Sequence, residues 1–171
     1  MIQNLLFYIH TTALLLFGVF LSAAFTGIRF SMKNALILIG FSAFSGILQL
    51  AAYLPFGEEA VRKLYPLITH LPLLILLCTV YRKKIHIAAT AICIAYLCCH
   101  PSKWFGILTF AITENFIVEC IVRIIILVVV AAMSLLFLAP YFSQFSGNDR
   151  FSFHIFSIVP GIYYVFDYIV V

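Results

Sequence analysis

With 171 residues, 65% of them hydrophobic and 9% charged, the chain has too few charges to cover a water-facing surface. A formal charge of +4 and a mean hydropathy of +1.17 leave lipid as its solvent and exclude a separate soluble catalytic domain. At about 20 apolar residues per crossing, the length allows about six spans, so the expected fold is an all-α polytopic transmembrane helix bundle with short loops.

The first span is expected over 5–27; without a basic segment ahead of it, it does not read as a cleavable signal. Arg29 and Lys33 precede a second span, 35–54, which Pro55, Phe56 and Gly57 close with breaker chemistry. Glu58, Glu59, Arg62 and Lys63 open a third, 64–81, and Arg82, Lys83 and Lys84 end it. A short fourth span, 85–99, is expected to stop at His100 and Pro101, leaving Lys103, Trp104 and the stretch to Asn115 at the membrane interface. A fifth runs over 116–139, a Ser, Gly and Asn-rich loop follows to Arg150, and a sixth occupies 151–171. The whole chain reads as one transmembrane domain.

Orientation follows from where Lys and Arg fall. One set of alternate loops holds Arg29, Lys33, Arg82, Lys83, Lys84 and Arg150, and the other holds Arg62, Lys63 and Lys103. The richer set is expected in the cytoplasm of a multi-pass cell-membrane protein, which puts the N-terminus outside. Small residues four apart (Gly18 and Ser22, Ala23 and Gly27, Ser42 and Gly46) suit close helix packing, within the chain or across a homodimer face. The five cysteines all lie in apolar stretches with no CxxC, and adjacent Cys98 and Cys99 read as small packing residues.

Ionisable groups inside spans are costly and normally face protein, so they mark the candidate ligand-binding residues. Glu119 and Arg123, at i and i+4 on one helix, can pair directly, as a packing device or as the floor of an outward-facing pocket. Asp167 sits among Tyr163, Tyr164 and Tyr168, either solvated at the interface or part of a site. His70 lies between Pro66 and Pro72, whose missing N–H groups bend the third span and free carbonyls. His10 and His154 stand alone.

Catalytic signals are missing: there is no HExxH, GxSxG, phosphate-cradling Gly-rich loop or carboxylate pair within one turn of a span. The chain therefore reads as no enzyme, with no cofactor and no metal site, and without the basic stripe that nucleic acid would need. Its expected surroundings are the lipid bilayer and an extracellular ligand.

Two segments carry a resemblance. Leu64-Tyr65-Pro66-Leu67-Ile68-Thr69-His70-Leu71-Pro72-Leu73 leads to Arg82-Lys83-Lys84, Ala95-Tyr96-Leu97-Cys98-Cys99, Pro101 and Trp104-Phe105-Gly106. Gly161-Ile162-Tyr163-Tyr164-Val165-Phe166-Asp167-Tyr168 closes the chain. Together these resemble the N-terminal membrane region of Firmicutes-type sensor histidine kinases with a GHKL ATP-binding part, distantly like the Agr-type peptide-pheromone receptors. The resemblance implies a receptor that detects an extracellular signal, a peptide among the candidates, and passes a helix rearrangement to a cytoplasmic kinase module. In such kinases one more span would follow Asp167. This chain lacks the phosphoacceptor His, the ATP-binding Asn and the ATP lid, so it is expected to be a fragment or a stand-alone sensor relative. The competing expectation is the substrate-binding membrane subunit of a vitamin-type uptake transporter, which has a similar length and about six spans.

Overall fold

The computed structural model describes residues 2–142 and 158–167, and these residues form helices without a strand. Helix α1 is Ile2–Phe25 and α2 is Met32–Tyr65, broken at Gly57. A π-helical turn, Pro66–His70, leads into α3, Leu71–Thr79. Helix α4 is Ile85–Thr113, and α5, Phe116–Met133, continues through a second π-helical turn, Ser134–Leu138. A last helix, α6, is Ile158–Asp167.

Five stretches are long and apolar enough to cross a bilayer: Tyr8–Phe25, Met32–Gly57, Glu59–Thr79, Ile85–Thr113 and Phe116–Phe142. The chain is a multi-pass α-helical membrane protein. Of the expected sixth span only α6 is described, too short by itself to cross; the loop with Arg150, and His154 and Tyr168, lie outside the described residues.

Local chemistry sets the reversals. Gly27, at φ 71°, ends α1 in a Schellman motif, with the Gly27 N–H donating to Ala24 O at 2.9 Å and the Ile28 N–H to Ala23 O at 3.1 Å. Ser31 then caps α2, its hydroxyl accepting the Asn34 N–H. Gly57, at φ 75°, turns the chain back after Pro55. Ser45 and Thr69, each twelve residues from Gly57, meet hydroxyl to hydroxyl at 2.9 Å, so the two legs run antiparallel. At the far end of α4, Glu114 adopts the left-handed conformation and the Asn115 side chain caps α5 by accepting the Ile117 and Val118 N–H groups.

The fourth span is longer than its sequence suggests. Pro101 leaves one carbonyl of α4 without its helical donor, but the helix continues to Thr113. In lipid a coil would expose many more unpaired groups than the proline does, so the helix is the better solution. Lys103 and Trp104 consequently sit within a helix that carries the chain on to Thr113.

Helices α1 and α4 form the centre. One apolar cluster joins Leu15 and Val19 of α1 to Leu38, Leu73, Leu77, Ala88 and Ile92; a second joins Leu21, Ala24 and Phe25 to Ala91, Ile94, Ala95 and Ala139. The α4 residues at this contact are largely alanines, which let the backbones approach. A Cβ on Gly18 would touch Cys99 Sγ and one on Gly46 would touch Leu15 Cδ2, each at 3.8 Å, and Ser22, Ala23 and Ser42 are buried. These small residues serve packing within the chain. Ala88, with no exposed surface, has no room to grow. Replacing it with leucine is expected to cost about 1–3 kcal/mol, read as earlier unfolding on titration with a denaturing detergent and followed by circular dichroism.

Candidate ligand cavity

A cavity of about 240 Å³ opens between α1, the Pro66–His70 turn, α4 and α5, with the end of α6 against it. Its inner wall is apolar, built from residues such as Leu14, Val19, Leu73 and Ile92. The rest is polar, and its side chains come from several parts of the fold.

His10 of α1 shares a buried hydrogen bond of 3.1 Å with the Ser102 hydroxyl of α4. His70 ends the π-helical turn, where the Leu71 N–H reaches back to Pro66 O because Pro72 offers no donor to continue the α-helical ladder. From there His70 Nδ1 meets the Tyr164 hydroxyl at 2.5 Å. The ring packs edge-on against Tyr65 and Tyr96, with centroids 5.0 and 5.4 Å away. Tyr96 donates to Asp167 Oδ2 at 2.6 Å, while His100 Nε2 lies 3.8 Å and Lys103 Nζ 4.0 Å from the same carboxylate. Tyr163 covers His100, ring centroids 5.0 Å apart. Thus the end of α6 is held by an aromatic and ionic cluster.

Arg123 lines the cavity and donates to Glu119 Oε1 at 2.5 Å; Glu119 is buried. The arginine stem lies over Gly106, where any added Cβ would collide with Arg123 Nε and Cγ. A side chain at 106 would therefore displace the guanidinium, so Gly106 fixes where the charge sits. Paired in this way, neither charge is buried alone.

Three of the expected residues, His70, Arg123 and Asp167, line this one cavity. Glu119 is not among the lining residues and is linked to the cavity through its ion pair with Arg123. The side chain of Asp167 is only 16% exposed and its oxygens meet partners from α4, which places it inside the bundle rather than in solvent. Sequence reasoning missed Tyr96, His100 and Lys103 as one group. Their spacing of four and then three residues marks a single helical face, but it emerges only if α4 is carried through Pro101. His10 gave no local signal at all, because its partner is 92 residues away. Among the described residues no three or more His, Cys, Asp or Glu side chains gather at metal-binding distance.

Compared with protein families, curated proteins and solved structures, the chain finds no match.

The Glu119–Arg123 pair yields a direct test. Glu119→Ala should lower unfolding stability by about 1–3 kcal/mol by leaving a guanidinium unpaired. The double substitution Glu119→Ala with Arg123→Ala should cost less than Glu119→Ala alone, measured by detergent-induced unfolding of the three variants.

Proposed function

We propose that this chain is the membrane-embedded receptor module of a sensor histidine kinase system, binding an extracellular signal in the cavity between α1, α4 and α5. The single observation behind this reading is that cavity: an apolar pocket with a polar side assembled from six separate segments. Ordinary helix packing in lipid would close such a space with small apolar residues; here it is left open and ringed by ionisable groups. The resemblance of Leu64–Leu73 and of Gly161–Tyr168 to sensor kinase membrane regions adds the signalling role.

The arrangement also supplies a means of transmission. A ligand shifts a conformational equilibrium only through unequal affinity for two states. Helix α6 reaches the cavity through Asp167, with Tyr163 and Tyr164 packed on the lining residues His100 and His70, and an occupant touching Asp167 distinguishes α6 docked from α6 displaced.

In this reading the ends of α1 and α4 that carry His10, Ser102 and Lys103 face outward, and the Arg82–Lys84 turn faces the cytoplasm. Orientation is measurable with a membrane-impermeant maleimide on intact cells. A cysteine at Phe56 is expected to label from outside, and one at Lys83 only after the membrane is opened; the reverse pattern would exclude an extracellular signal at this cavity.

The cavity's modest size suits a small molecule equally well, and this favours a second reading as the substrate-binding subunit of an uptake transporter. The two differ in their partner. Chain purified from native membranes in mild detergent should bring down a histidine kinase if it senses. Stoichiometric recovery of transport ATPases instead would replace sensing by uptake.

A further inference from the structure

We propose that the cavity takes an anionic amphiphile, an oxyanion head on a compact apolar body, and that the head displaces the Asp167 carboxylate from Lys103 and His100. This rests on the ligand-cavity reading above and names the chemical class of its occupant.

Charge comes first. Of the cations lining the cavity, Lys63 is paired with Glu59 at 2.8 Å and Arg123 with Glu119, whereas Lys103 has its Asp167 partner only at 4.0 Å. A cationic head would meet Lys103 as a like charge, and the carboxylate it would need is already accepting the Tyr96 hydroxyl at 2.6 Å. An anionic head meets the opposite field.

The donors are also incompletely used. Asp167 lies 3.8 Å from His100 Nε2 and 4.0 Å from Lys103 Nζ, beyond hydrogen-bond distance from both. His100 is only 6% exposed, and the ring nitrogen that faces Asp167 is Nε2. Such a buried donor or acceptor is costly to leave unmade. A free oxyanion, not tied to the α6 backbone, can approach Lys103 and His100 more closely than Asp167 does. Asp167 then acts as the resident counter-ion of an anion subsite, held there until an exogenous anion replaces it.

Shape supplies the other half of the ligand. Away from Lys103 the wall is Leu14, Val19, Leu73 and Ile92, which accept hydrocarbon and offer no hydrogen bonds. Drug-sized ligands occupy about 300–1,000 Å³, so a space of about 240 Å³ suits a smaller body, such as a medium-chain or aromatic carboxylate. The same head chemistry occurs on anionic lipids, and the two sources separate experimentally.

The test is calorimetric titration of the full chain in nanodiscs of neutral phosphatidylcholine with octanoate, octanol and octylammonium, which share one tail. Octanoate should bind about tenfold or more tighter than octanol, the worth of a charged hydrogen bond. Lys103→Gln should remove that preference and leave octanol binding in place, whereas Lys103→Arg should retain it. Asp167→Asn should tighten octanoate, because the resident anion no longer competes. Adding phosphatidylglycerol to the nanodiscs should weaken octanoate through Lys103 if a lipid head group is the natural occupant, and leave it unchanged if a free carboxylate is. Binding of octanol or octylammonium as tightly as octanoate would overturn the anion subsite while leaving the ligand cavity standing. Absence of binding by all three would overturn both.

Discussion

Lipid offers no hydrogen bonds, so every polar group carried into the bilayer has to find its partner within the protein. In this chain that constraint organises one side of the bundle. Ser45 and Thr69 tie the two legs of the hairpin that turns at Gly57, and Gln49 donates to the same Thr69 hydroxyl. His10 and Ser102 join α1 to α4. His70 with Tyr164, and Tyr96 with Asp167, bring α6 against the π-helical turn and α4. Remove these pairings and the apolar contacts that remain are the small-residue seams of α1 and α4, which determine how closely helices approach but say little about register.

The same groups are what make the cavity chemically particular. Apolar packing in membranes depends on van der Waals contact between small residues, and it is well served at the Ala88, Ala91 and Ala95 face of α4. One stretch further along, the same helix presents Tyr96, Cys99, His100, Ser102 and Lys103, and the neighbouring helices no longer close upon it. Gly106 then gives Arg123 its place beside the cavity. A single helix thus passes from an apolar packing face to a polar cavity wall beyond Ala95, without a change in secondary structure.

Helix irregularities contribute to this change. The π-helical turn at Pro66–His70 sets His70 where it meets Tyr65, Tyr96 and Tyr164. Pro101 lies between His100 and Ser102, at the level of the cavity. Both prolines sit where a regular ladder would have been interrupted and where surrounding helices supply enclosure.

The sequence by itself determined the class of the protein and most of its crossings. Apolar run length and charge poverty are additive, local quantities, and lipid reads them directly, so a bundle of helices long and apolar enough to cross a bilayer was legible in advance. The Glu119–Arg123 pair was legible for the same reason, since i and i+4 on one helix meet whatever else the fold does. Only the tertiary structure decided that His70, Arg123 and Asp167 share a cavity, that His10 belongs with Ser102, and that Asp167 turns inward to α4. Those relations join residues on different helices, and helix–helix register in lipid is set by shape and by scarce polar contacts rather than by any periodicity along the chain. Pro101 shows the limit most plainly. As a local signal it ends a helix, but in a medium without water the cost of stopping exceeds the cost of one missing bond, and α4 runs on to complete the site.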